Sequence, residues 1–138
     1  MNNGKETAKW WILAIIAVAF GVLTIKSGGA VLFFEGEARE AAGDYVPFVL
    51  WFNFVAGFAY VAAGVGFATR WSCAPRLAVL IAVATLGVFA AFGIHVINGG
   101  AFEMRTVAAM SLRSLVWLTT AVLAWRWAKL SSAQQPHS

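Results

Sequence analysis

Lys26, Asn53, His95 and Arg113 are polar side chains, each inside a different long apolar run of the chain. Counted at about 1.5 Å of helix per residue, all four fall at a similar depth, in the outer third of a membrane. Ionisable groups at such depth are costly unless paired, and they mark functional sites by default. Glu103 and Arg105 sit just above this level, in the connection between the third and fourth runs. Two chemistries suit the set. His95, Asn53 and Arg113 could bond the two carbonyl oxygens of a quinone head group, with Phe33, Phe34, Phe54, Phe58, Phe89 and Phe92 flanking its ring. A small anion would also suit the local positive charge. The plainer reading is an ion-pair lattice: Arg113 to Glu103, Lys26 to Glu37, and His95 bonded to a backbone carbonyl.

Other chemistries have less support. His95 and Glu103 lack the helical HxxxH or ExxH spacing of a metal site. Ser111 and Ser114 have no nucleophile elbow around them. The spans contain no midplane carboxylate, which weakens a proton-coupled transporter, and no paired histidines to hold a haem. The single cysteine, Cys73, cannot form an intrachain disulfide. The chain therefore reads as a protein without a self-sufficient catalytic constellation.

The elements that must position these groups are four apolar runs: 10–34, 47–69, 77–98 and 107–127. Each approaches the roughly 20 residues a helix needs to cross a bilayer. The runs are continuous, not alternating, so helices are expected and barrel strands are not. Of 138 residues 61% are hydrophobic and only 12% charged, and the spans leave no room for a soluble domain. The net charge of +4 comes from residues at span ends, which argues against a nucleic-acid partner. Lys5 and Lys9 ahead of the first run give it the look of an uncleaved signal-anchor.

Orientation follows from lysine and arginine bias. Lys5, Lys9, Arg70, Arg76, Arg126 and Lys129 gather at one level, while the first connection is acidic, with Glu35, Glu37, Glu40 and Asp44. The bias predicts cytoplasmic termini and second connection. Short connections make sequential neighbours antiparallel. The expectation is a single all-α membrane domain, an up-down-up-down four-helix bundle in a bacterial inner membrane. Gly57 and Gly64 mark a close-contact face, available to a neighbouring helix, another membrane subunit or a second copy of the chain. The tail 131–138 is expected to fray.

The layout resembles the DoxX-like superfamily of small bacterial membrane proteins. The first run contains Gly21-Val22-Leu23-Thr24-Ile25-Lys26-Ser27-Gly28. Pro47 opens a second run with Asn53-Phe54-Val55-Ala56-Gly57-Phe58 and ends it on Ala63-Gly64-Val65-Gly66-Phe67-Ala68-Thr69-Arg70. His95 and the stretch Gly99 to Glu103 extend the likeness over residues 10 to 128. The family's usual glutamate in the second span is replaced; Asn53 and Tyr60 are the nearest polar groups. The resemblance implies four membrane helices and an association with sulfur or thiol redox chemistry, as in the small subunits found with thiosulfate:quinone oxidoreductases. It matches Lys26, His95 and Glu103 by position. Three roles follow as expectations: a ligand-binding or redox-associated membrane component with an outward-facing polar site, a purely structural subunit of a larger complex, or a small oligomeric transporter.

Overall fold

The computed structural model describes residues 3–134. Five helices follow one another: α1 (Asn3–Phe33), α2 (Glu37–Ala42), α3 (Pro47–Ala68), α4 (Ala74–Ile97) and α5 (Met104–Ala133). No strand occurs among the described residues. Four of the helices are long and apolar enough to cross a membrane. Pro47 and Pro75 stand in the first turns of α3 and α4, where a missing N–H costs nothing.

The spans agree with the apolar runs, but the helices do not stop where apolarity does. α1 begins at Asn3 and α5 continues to Ala133. At about 1.5 Å per residue these two reach roughly 45 Å, longer than α3 and α4. The polar tail is thus helical through Ala133, with the Ser131 and Ser132 hydroxyls each donating to the carbonyl four residues back. Residues 135–138 of that tail lie outside the described residues. Gly28 and Gly29 do not interrupt α1.

Consecutive spans pack side by side with their sequences running opposite ways. On α1 and α3, Trp10 meets Phe67, Gly21 meets Gly57, and Gly28 meets Phe54. α4 returns from Ala74 beside Gly66 to His95 beside Phe48. α5 runs back along α4 and reaches α1 through long side chains, Trp127 standing edge-on to Trp10 at 5.9 Å.

The interior is built largely from alanine. Ala14, Ala17, Ala63, Ala74, Ala78, Ala82, Ala121 and Ala124 are buried around Trp10, Tyr60, Phe67 and Trp117. Large aliphatics such as Ile15, Leu23, Val55, Leu80 and Leu115 point outward. That inversion suits lipid, where apolar surface gains nothing by hiding and close packing of small residues joins helices. A second cluster of Val46, Val49, Phe92 and Met110 fills the end near α2.

The glycine face of α3 is spent inside the chain. A Cβ on Gly64 would lie 2.9 Å from the Ala14 carbonyl oxygen, and one on Gly57 would lie 3.1 Å from that of Gly21. Backbone meets backbone here, so of the three occupants expected for this face it is a neighbouring helix, α1, that covers it.

Candidate ligand-binding site

The short helix α2 shapes the site. Its sequence, Glu-Ala-Arg-Glu-Ala-Ala, consists of strong helix formers bounded by Gly36 and Gly43, both at positive φ. Arg39 reaches back to the end of α1, donating Nε to the Val31 carbonyl (3.0 Å) and a terminal nitrogen to that of Leu32 (2.9 Å). These are orphan carbonyls of a helix C-terminus, where a cation is favoured. From the other side, Glu103 accepts the Asp44 N–H at 2.9 Å, and Arg105 leans on the Ala41 carbonyl at 3.4 Å. α2 is therefore pinned across the end of the bundle between α1 and α5.

Beneath it, α1, α3 and α5 do not close. A cavity of about 340 Å³ opens there, bordered by Thr24, Ser27, Leu50, Asn53, Arg105 and Arg113. A smaller one of about 150 Å³ adjoins it through Ala42, Leu50, Asn53 and Arg105, and adds Tyr45, Glu103 and Thr106. Side by side under α2, they make a crevice region bordered by two arginines and one carboxylate. That carboxylate already takes the Asp44 N–H.

Asn53, Arg105 and Arg113 are thus brought together, with Glu103 at the edge. Asn53 is buried, and its Oδ1 has no hydrogen-bond partner; neither has the buried Nε of Arg113. The Arg113 guanidinium carbon stands 5.9 Å from the centre of the Phe20 ring. Among the described residues, no carboxylate lies within ion-pair distance of Arg113; the ion pairs are Lys9–Glu6 and Arg39–Glu35. The expected lattice of Arg113 with Glu103 and Lys26 with Glu37 does not form.

Lys26 and His95 stand apart from the crevice. α1 turns Gly21, Thr24, Gly28 and Val31 inward, at steps of three and four residues. Lys26, two residues from both Thr24 and Gly28, is rotated by about 200° onto the exposed face. His95 lies at the end of α4, where its Nε2 is 3.0 Å from the Ala101 carbonyl oxygen and its ring stands edge-on to Phe48. The backbone contact expected for it is present, and it folds the α4–α5 connection back against Gly100. The six phenylalanines do not line the crevice either. Phe33, Phe54 and Phe58 instead form an edge-to-face row with centroids 5.4 Å apart, and Phe89 stacks on Phe92.

Deeper in the bundle lies a buried polar group that sequence reasoning did not assemble. Tyr60 and Thr85 are fully buried near mid-span. The Tyr60 hydroxyl is within electrostatic reach of both Arg113 and Thr85, yet neither hydroxyl attains hydrogen-bond geometry with a partner. Trp117 lies on the Tyr60 ring at 4.7 Å, and its Nε1 is also without an acceptor. A tyrosine, a threonine and a tryptophan at matching depth on three spans were the available signal. The Ser111 and Ser114 hydroxyls are occupied with carbonyls of their own helix, each at 2.8 Å. No group of three or more metal-ligating side chains occurs among the described residues.

Comparisons with protein-family models, with characterised proteins and with solved structures return no match for this chain. What the helices and their crevice define is a multi-pass membrane protein of four spanning helices.

Proposed function

We propose that the chain is a membrane-embedded binding protein for a small anion, held in the crevice beneath α2 by Arg113, Arg105 and Asn53. One observation carries the reading. Arg113 sits well inside a span, lines a cavity of ligand size, and among the described residues has no carboxylate within ion-pair distance. A buried guanidinium without a counter-charge is costly in lipid. A carboxylate, sulfur oxyanion or halide seated between two arginines would supply that charge through short, charge-assisted bonds. The Asn53 amide can donate a further bond. A quinone would find the same donors, but it would lack the phenylalanine flanks expected of a ring site. Tyr45 alone offers an aromatic edge.

The reading includes finer elements. Both termini and the α3–α4 connection face the cytoplasm on the strength of the positive-inside bias, so the crevice opens outward. The membrane is a bacterial inner membrane, and the protein is associated with membrane redox chemistry, as the DoxX-like resemblance implies. Sulfur oxyanions are the ligands that join the resemblance to the arginines. A purely structural subunit is a weaker account, because the Gly57 and Gly64 face is covered within the chain.

The test is titration of the purified protein in phosphatidylcholine nanodiscs with thiosulfate, sulfite, acetate and chloride, followed calorimetrically. Saturable binding of one class, lost in Arg113→Ala while the thermal midpoint is kept, is the expected result. If none of these anions binds the wild-type protein, the proposal fails. Loss of folding in Arg113→Ala would instead make Arg113 a packing residue.

A further inference from the structure

Arg113 has two environments. Its side chain borders the crevice beneath α2, while its Nε is buried and without a partner. Around it, each of the four spanning helices contributes a group. The Phe20 ring of α1 lies 5.9 Å from the guanidinium carbon and 5.8 Å, centre to centre, from the Tyr60 ring of α3. The Trp117 ring of α5 also lies against Tyr60, at 4.7 Å. Thr85 of α4 and Arg113 are both within electrostatic reach of the Tyr60 hydroxyl. Tyr60 and Thr85 are fully buried, and neither hydroxyl has a hydrogen-bond partner. Buried polar atoms left unpaired are costly, most of all in lipid. These three are also complementary. The Arg113 Nε–H can only donate, whereas each hydroxyl can both accept and donate.

We infer that Tyr60 is a positioning residue of the crevice, its hydroxyl accepting the Arg113 Nε–H and donating its own O–H to the Thr85 Oγ1. The inference rests on the reading of the crevice as an anion site. Stiffness decides which group completes the contact. Tyr60 is held by the Phe20 and Trp117 rings, and Thr85 is β-branched, with a restricted χ1. Arg113 carries the long rotatable stem, so a small turn of its guanidinium closes the bond. With Nε–H spent inward, an anion meets the guanidinium end-on, through the two terminal nitrogens. The fork is fixed before the anion arrives, which lowers the ordering cost of binding.

Two readouts separate this inference from the reading it rests on. Affinity is measured by titration with thiosulfate, sulfite, acetate and chloride in phosphatidylcholine nanodiscs. Exchange of the Arg113 Nε–H with water is measured by NMR in protein labelled with heavy nitrogen at arginine, and it needs no bound anion. Tyr60→Phe keeps the ring and removes the hydroxyl. It should weaken anion binding about tenfold and speed Nε–H exchange by about the same factor, as expected for loss of a charged hydrogen bond. Thr85→Val should do both more weakly. Ser114→Ala removes a buried hydroxyl next to Arg113 that already bonds the Met110 carbonyl, and it should change neither. Unchanged exchange in Tyr60→Phe overturns the inference whatever the affinity does, and so does an equal acceleration in Ser114→Ala. Where an anion binds, unchanged affinity in Tyr60→Phe also overturns it. If the wild type binds none of the four anions, the crevice reading fails, and exchange still decides whether Tyr60 holds Arg113. If Tyr60→Phe does not fold, Thr85→Val decides, and unchanged exchange there overturns the inference.

Discussion

Helices α1 and α3 meet each other in one way and α5 in another. Around Gly21, Gly57 and Gly64 they approach until backbone touches backbone. Toward α2 the pair stays in contact, with Gly28 against Phe54, but α5 does not close on it around Thr24 and Asn53, and the gap is lined by arginines from α5. The contrast shows how a bundle in lipid divides its labour. Without a hydrophobic force between helices, cohesion must come from intimate packing of small residues. Polar groups cannot share that seam, so they collect where the helices are held apart. Here the spacer is α2, fixed by Arg39 and Glu103. The seam supplies stability, and the gap is left to hold a ligand.

Substitutions on either side should separate these roles. The largest effect is expected at the seam. Gly64→Ala puts a methyl group against the Ala14 carbonyl and the Val18 backbone nitrogen, so the helices must move apart. A loss of about 1–3 kcal/mol follows, as for other overpacked cores, read as a lower thermal midpoint in detergent with anion affinity little changed until unfolding. Next comes the spacer. Arg39→Ala strips the cap from the end of α1 and should cost about 1 kcal/mol. It should also speed amide exchange in α2 far more than in α3. At Gly43, φ is 59°, and an added Cβ would collide with the Glu103 carboxylate. Gly43→Ala should therefore loosen the same helix, whereas Glu103→Gln, which can still accept the Asp44 N–H, should leave exchange nearly unchanged. The smallest effect is expected at Lys26. It faces away from the gap, and Lys26→Ala should bind anions like the wild type. A clear loss of affinity there would mean that the two faces of α1 are not as separate as the structure places them.

Legibility in the sequence divided along the same line. The spans could be read because hydropathy sums along a helix and needs no knowledge of its rotation. Their ends could not, since the polar turns Asn3 to Lys9 and Ala128 to Ala133 are helical without being apolar. Helix α2 is too short for any periodicity, and its residues read only as part of an acidic connection. The site was half legible. Asn53, Arg105 and Arg113 stood out as polar residues in or beside apolar runs, and the gap collects them. Lys26 and His95 were grouped with them by depth alone. Depth fixes a level in the membrane, but the direction of a side chain turns by about 100° per residue. Applying that step from Thr24 would have put Lys26 on the far face. The orphan polar atoms of Tyr60, Thr85 and Trp117 follow from how three helices meet, which no single span encodes.

The most direct test of an anion between Arg113, Arg105 and Asn53 is crystallographic. Crystals grown in bromide, measured at the bromine absorption edge, should show an anomalous peak in the crevice beneath α2, within hydrogen-bonding distance of the Arg113 guanidinium, and Arg113→Ala crystals should lack it. A wild-type crevice without such a peak, while bromide gathers at exposed cations elsewhere, would contradict the account.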